Sequence, residues 1–486
     1  MVAHHKRAAS TSTPSVRQWA NQVFSRTSGA PLRDGNRITL LKDATENFPA
    51  WLSAIRSARE TIDFEMYIIH EDEQGRLFAD ALLAKAADGV RVRLLYDWIG
   101  GFRKTSARFW KRLRAGGVDV RCYNRPRFDR PLGWLSRDHR KTITVDGTIA
   151  FVTGLCVGSM WVGDAARHVE PWRDTGIEIH GPAVHDVEAA FADAWATAGD
   201  TSADTPVHRN PSPAGDVSLR VVATVPYTAG LFRVDQLVAA MARRTLWLTD
   251  AYYGGTAAYV EALRAAARDG VDVRLLVPGG SDIPLIRPFS RAGYRPLLEA
   301  GVRVFEWNGS MIHAKTAVAD RRWARVGSTN LNIASWLGNR ELDVIVEHEG
   351  FAKLMEDMFL HDLQNATEVV LLRNRVRAPG APLRRHRPAT SGGGSGARVA
   401  AGAVRVGNTV AAAVANTRVL EPVEANIALS AGGILAALAV LAFAYPRGLA
   451  YPLGVFVAWL AIATLYRATE LYQARRRNKN TDGISR

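Results

Sequence analysis

The sequence predicts an α/β protein made of two copies of one α/β/α unit related by a pseudo-twofold axis. A two-helix transmembrane hairpin is predicted at its C-terminal end. Three observations carry this. Four segments recur in the same order about one domain apart. Within each copy, short strand-like stretches alternate with amphipathic helical ones. Near the C-terminus, two apolar runs each approach the roughly 20 residues that span a bilayer.

The repeats set the organisation. "ARETIDFEMYII" is echoed by "ARRTLWLTDAYY", and "FADALLAKAADGVRVRLLYD" by "YVEALRAAARDGVDVRLLVP". "RLRAGGVDVRCYN" is echoed by "PLLEAGVRVFEWN", and "HRKTITVDGTIAFVTG" by "HAKTAVADRRWARVGS". Each copy reads strand, helix, strand, helix, strand, then a hairpin-like pair. The helix "RLFADALLAKAA" has apolar residues at helical spacing and stops at the Asp-Gly of "ADGV". Such alternation implies a mixed, mostly parallel sheet covered on both faces. The repeats are placed at residues 35–200 and 217–370, with the polar Pro/Gly/Ser linker 201–216 between them.

Outside the repeats, residues 1–34 read as a mobile basic arm with no apolar signal-like core. Residues 371–425 read as a basic flexible linker. Its second half, from Ala397 to Leu420, fits either an interfacial helix or plain linker. The apolar runs Asn426 to Pro446 and Leu449 to Ala468 lack a polar face and are separated by "YPRG". They are expected to form the transmembrane hairpin, the alternative being a buried helical hairpin. The tail 469–486 contains "QARRRNK", which by the positive-inside bias places that end, and the catalytic part, in the cytoplasm at the inner membrane. Arg447 in the turn points weakly the other way.

At 486 residues the chain is long enough for two domains, and its formal charge of +15 calls for an anionic partner. Nucleic acid and anionic lipid both satisfy that charge. Cys122 and Cys156 are too few for a disulfide framework and read as buried free thiols.

The chemistry lies in the last repeat pair. His139, Lys141 and Asp146 have the spacing H-x-K-x4-D, and His313, Lys315 and Asp320 repeat it. Both are followed by a small-residue turn, "TGLC" at Thr153 to Cys156 and "GSTN" at Gly327 to Asn330. One such match reads as a strand with a basic start, but two in a duplicated fold do not. Residues i and i+2 of a strand share a face, so each His and Lys point to one pocket. A pseudo-twofold then brings two imidazoles and two ammoniums to one phosphate. The lysines, with Ser328 and Asn330, neutralise charge on non-bridging oxygens. One imidazole attacks phosphorus and the other protonates the leaving alkoxide. No metal or cofactor is required.

The paired motifs with their trailing "GSTN" resemble the phospholipase D superfamily, over roughly Gly35 to Gln364. "DFEMYIIHEDEQGRLFADALLAKAADGVRVRLLYDWIGG" and "WRDTGIEIHGPAV" resemble its bacterial cardiolipin synthase branch. The resemblance implies ping-pong transfer of a phosphatidyl group between two phosphatidylglycerols through a phosphohistidine, releasing glycerol. It implies His139 as nucleophile and His313 as general acid/base, although the spacing leaves their order open. Lys141, Lys315 and Asn330 match the phosphate binders, and Asp146 and Asp320 the positioning aspartates. Glu341 in "NRELDV" matches a glutamate that supports the site; a surface strand charge is the other reading. Three positions depart from the pattern: Thr153 replaces a glycine, Cys156 an asparagine and Ala334 an arginine.

The Arg- and Trp-rich segment before the first motif reads as a rim for anionic head groups, with Trp134 at the interface. A phospholipase D-type hydrolase shares every catalytic residue, and nucleases occur in the same superfamily. The apolar hairpin favours anionic phospholipid membrane as the partner, with phospholipid substrates and no nucleic acid. The oligomeric state is not legible.

Overall fold

The computed structural model of the chain describes residues 16–126, 135–199, 212–283 and 286–371, with scattered positions between 433 and 469. The first repeat carries β1 (Arg33–Lys42), β2 (Thr61–Met66), β3 (Arg91–Asp97), β4 (Asp119–Tyr123), β5 (Lys141–Val145), β6 (Ile149–Thr153) and β7 (Thr175–His180). The second carries β8 (Val217–Thr224), β9 (Thr245–Thr249), β10 (Asp272–Pro278), β11 (Arg303–Trp307), β12 (Thr316–Ala319), β13 (Trp323–Gly327), β14 (Glu341–Val346) and β15 (Ala366–Val369).

Local chemistry sets the boundaries. The helix Glu73–Ala87 starts at Asp72, whose carboxylate accepts the Gly75 N–H at 3.0 Å. It ends at Asp88-Gly89, with Gly89 at φ +85°; the second copy stops likewise at Asp269-Gly270, with Gly270 at φ +96°. Both glycines hold the left-handed conformation that turns each chain directly into β3 or β10.

The strands form one hydrogen-bonded order, β15-β11-β10-β9-β12-β13-β14-β8-β1-β7-β6-β5-β2-β3-β4, continuous across both repeats. The halves join at β1 and β8, whose register shifts between Arg33 and Asn36. There the order folds back, so that β6 and β7 pack against β13 and β14. Val152 and Ile177 of the first repeat share one core with Val326 and Val344 of the second. Each repeat also keeps its own core, around Phe64 and Trp51 in the first and Leu248 and Trp336 in the second.

Two expectations are corrected. The sheet is mixed but mostly antiparallel: among the described strands only β2–β3–β4 and β9–β10–β11 pair parallel. The crossover helices supply those parallel ladders, whereas β5–β6 and β12–β13 are hairpins, and a tight turn joins only antiparallel neighbours. The N-terminal segment is not wholly a mobile arm. Its helix Val16–Ser28 docks on the second repeat, where Phe24 enters the core and Arg220 donates to Ser25 Oγ at 2.6 Å.

The linker residues 201–211, Trp134 and the segment 397–420 lie outside the described residues, as does part of the hairpin predicted at 426–468. Among the described residues no helix is long and apolar enough to cross a membrane. Residues 450–459 are helical, and Tyr451, Leu453, Val455, Phe456 and Val457 stand exposed.

Candidate active site

The two histidines lie just before β5 and β12, each tied by its backbone to the opposite repeat. His139 N–H donates to Arg340 O at 2.9 Å, and His313 N–H donates to Arg173 O at 2.7 Å. Parallel bridges pair Asp138 with Arg340 and Arg173 with Ile312. Each crossing sets a histidine beside the acid that follows the arginine, so the carboxylates are exchanged between halves. His139 Nδ1 lies 2.9 Å from Glu341 Oε2 and 3.1 Å from Oε1. His313 Nδ1 lies 2.7 Å from Asp174 Oδ2. A carboxylate only accepts, so the proton sits on Nδ1 and the neutral ring keeps its lone pair on Nε2.

The same two arginines bolt the halves together. Arg173 donates to Asp362 at 2.9 and 3.0 Å, on the second repeat's helix Glu349–Leu363. Arg340 pairs with Asp193 and donates to Thr197 Oγ1 at 2.9 Å, both on the first repeat's helix Val184–Ala198.

The carboxylates are braced differently. Ser328 Oγ donates to Glu341 Oε2 at 2.6 Å, and Asn339 Nδ2 to Oε1 at 3.2 Å. Asp174 takes the Trp161 indole N–H on Oδ2 at 3.2 Å and the Thr175 N–H on Oδ1 at 2.9 Å. Aromatic rings wall both imidazoles. Tyr67 stands 4.8 Å from His139, while Trp161, Trp172 and Tyr252 lie 5.8, 5.6 and 5.7 Å from His313.

Lys141 and Lys315 are buried, and each ammonium donates to the carbonyl of its own histidine. Lys315 Nζ also lies 2.9 Å from His313 Nδ1. Burial lowers the His313 pKa to about 3, with Lys315 adding to the drop and Asp174 opposing it. His139 is lowered by burial and Lys141 against the pull of Glu341, and Lys315 also reaches it. His313 in turn feels Lys141, so the two halves form one electrostatic unit. Burial, with repulsion from Lys141, brings Lys315 down to about 8. Burial raises the acids Asp174 and Glu341, but their imidazole and lysine partners outweigh it and hold both below the usual carboxylate range.

The structure thus brings together His139, Lys141, His313, Lys315, Ser328 and Glu341. Asn330 follows in the same turn, buried, with its amide oxygen lacking a hydrogen-bond partner. Asp146 and Asp320 do not join them and are corrected to a scaffold role. Asp146 accepts the N–H groups of Arg59, Glu60 and Thr61 at 2.8 Å, and Asp320 those of Arg243, Arg244 and Thr245 at 2.7–2.9 Å. Each sits at the far end of its strand from the lysine, at about 3.3 Å per residue, and pins the hairpin to the start of β2 or β9.

Asp174, Trp161, Tyr67, Trp172 and Tyr252 were not singled out from sequence. For Asp174 a signal existed: "WRDTGIEI" and "NRELDVIV" both place an arginine and an acid before an apolar strand. Ser328 braces Glu341 rather than standing free for phosphate. Both cysteines are free; Cys156 is buried and Cys122 half-buried. Burial pushes the Cys156 thiol up despite both lysines nearby. Among the described residues no group of His, Cys, Asp and Glu is placed to hold a metal ion.

Two imidazoles, each held by the other half's carboxylate and sharing two ammoniums, define a phospholipase D-like site for phosphodiester chemistry. The fold is similar to that of a phosphatidylserine synthase from Haemophilus influenzae, which superposes with a TM-score of 0.57 at 13% identity, over 72% of this chain and 92% of that one. The family is narrower than the fold. The chain belongs to the cardiolipin synthase family of phospholipase D-like proteins, whose model, "Cardiolipin synthase, PLD-like domain", matches residues 51–195 and 238–363. Cardiolipin synthase A of Pseudomonas aeruginosa is 36% identical over 349 residues, covering 70% of this chain and 69% of the relative. That of Pseudomonas fluorescens is 34% identical over 351 residues, covering 70% and 71%.

Proposed function

We propose that the chain is a phosphatidyltransferase that joins two phosphatidylglycerols into cardiolipin and releases glycerol. The observation that carries this is the exchanged pair of histidine–carboxylate contacts, found in a chain of the cardiolipin synthase family. Nε2 of His139 attacks phosphorus, and the bond to the glycerol oxygen breaks. As substrate binds, His313 takes up a proton from solvent at Nε2 and gives it to the departing alkoxide. It then takes a proton from the hydroxyl of a second phosphatidylglycerol, which attacks phosphorus and breaks the P–N bond. Proton and phosphatidyl group are both returned, so the cycle closes without another reactant.

Both imidazoles rest neutral, as a nucleophile must. A bound phosphodiester anion offsets the two ammoniums that hold His313 down, and so raises its proton affinity when an acid is needed. Lys141, Lys315 and Asn330 bind the phosphate; Cys156 stands where the first repeat lacks an amide donor. The reading includes anchorage by a transmembrane hairpin at 426–468 in the inner membrane, with the catalytic part cytoplasmic. The exposed apolar side chains of 450–459 and the basic tail support that.

The test is a covalent intermediate. With a phosphatidyl donor whose leaving group needs no proton, such as phosphatidyl-p-nitrophenol, mass spectrometry of intact His313→Ala protein is expected to find a phosphatidyl adduct on His139. An adduct on His313 in His139→Ala alone would reverse the assignment of the two roles; no adduct in either variant would refute the covalent route.

A further inference from the structure

Several of the exposed apolar side chains of the catalytic region lie beside the site. In the second repeat, Tyr252 touches the His313 ring and donates its hydroxyl to Asp282 at 2.9 Å, next to Ile283. Gly254 is bridged to Asn332, beside Ile333, and a Cβ on it would lie 3.3 Å from the Phe289 ring. Tyr227 N–H donates to Leu337 O at 2.9 Å, just beyond the point where Thr224 of β8 opposes Glu341. Ile283, Phe289, Ile333 and Tyr227 are all exposed, Tyr227 by 91%. In the first repeat, Asp97 takes the Asp138 N–H at 2.9 Å and the Arg137 guanidinium at 3.3 Å, and exposed Phe102 and Leu135 flank that junction.

The two sides of this mouth differ in charge. From Trp98 to Val118 the chain has no acid, and Arg103, Lys104, Arg108, Lys111, Arg112 and Arg114 are exposed. Meanwhile His139 and His313 are only 7% and 5% exposed, so a phosphate must be delivered into the site past this rim. Arg112 pairs with Asp80, and an apolar fringe beside a run this rich in exposed cations is complementary to a surface with phosphates outside and acyl chains beneath.

We propose that this rim is the face on which an anionic phospholipid bilayer docks. Ile283, Phe289, Ile333 and Tyr227 enter the acyl boundary, and the 98–118 segment lies against the head groups. The phosphate then passes from the bilayer plane to the histidines while its acyl chains stay beside the second repeat. This rests on the phospholipid substrate proposed above, and it adds that docking is a property of the catalytic region in addition to any anchor.

The test uses the full chain carrying Phe289→Ser with Ile333→Ser. Turnover is measured after reconstitution into vesicles of equimolar phosphatidylglycerol and phosphatidylcholine, and separately on monomeric dihexanoyl phosphatidylglycerol. The expected result is about tenfold slower turnover in vesicles and a rate within about twofold on the monomeric lipid, because exposed apolar positions carry little folding energy. An unchanged vesicle rate, or an equal loss on both substrates, would overturn the docking face. So would loss of a dimer in sedimentation with the vesicle rate intact, which would assign the rim to a second copy. Should the wild-type chain release phosphatidic acid in place of cardiolipin, the proposed transfer falls, and the vesicle-to-monomer ratio still reads the docking face.

Discussion

Gly154 occupies in the first repeat the place that Ser328 occupies in the second, and the carboxylates they face are held differently as a result. Ser328 reaches Glu341 with its hydroxyl at 2.6 Å. At Gly154 a Cβ would lie 2.1 Å from Asp174 Oδ1, so the shorter aspartate fills that space and Trp161 supplies the hydrogen bond from elsewhere. The repeats keep one function, a fixed carboxylate behind each imidazole, by two packings that are not interchangeable.

Gly154→Ser, which merely copies the second repeat, is therefore expected to displace Asp174 and reduce turnover about 100-fold or more. Ser328→Gly only deletes one brace of Glu341, and about a tenfold loss is expected, since a hydrogen bond to a charged group is worth about 1.5–3 kcal/mol. Steady-state kinetics on both variants checks the order of severity.

Asp174→Asn and Glu341→Gln keep shape but lose the charge that fixes the imidazole tautomer. Each is expected to reduce kcat by roughly 100- to 10,000-fold while KM stays nearly unchanged. Nitrogen NMR on imidazole-labelled protein should show His313 perturbed by the first substitution and His139 by the second. The reverse assignment would contradict the exchange between halves.

Burial drives both histidines below their ordinary pKa; His313, at about 3, gains no proton as pH falls to 6 in the free enzyme. Lys315, near 8, loses its charge as pH rises through that value. The profile of kcat/KM should rise as pH falls toward 6, because the acid step draws a proton from solvent, and should show an added decline above about pH 8. Lys315→Arg, if active, should lose that added decline, because a guanidinium stays charged.

Arg173 and Asp362 form an ion pair across the repeats with side chains 8% and 4% exposed. Asp362→Ala leaves Arg173 with Asp43 at 3.1 Å as its remaining carboxylate partner, so it should cost about 1.5–3 kcal/mol in denaturant unfolding. The double replacement of Arg173 and Asp362 by apolar residues should recover part of that loss.

The duplication, the two H-x-K pairs and the crossover helices were legible because each is local: strand period, helix period and Asp-Gly stops act within a few residues. Asp174 was not, because its partner His313 lies in the other repeat and its own copy carries a glutamate in that role. The parallel sheet was over-read from helix–strand alternation, which does not register that β5–β6 and β12–β13 are hairpins. Asp146 and Asp320 were placed with the catalytic set as positioning aspartates by the resemblance, yet the strands that project His and Lys into the site carry those aspartates out to its far end. Ser328 was read as a phosphate donor, and its hydroxyl is taken by Glu341.

The central claim is that one site, assembled from both repeats, transfers a phosphatidyl group. The most direct measurement supplies vesicles of labelled phosphatidylglycerol to the purified full chain and identifies the lipid products. Cardiolipin and free glycerol from the wild-type chain, and neither from His139→Ala or His313→Ala at equal fold, is the predicted result. Phosphatidic acid without cardiolipin, or full cardiolipin formation by either histidine variant, would contradict it.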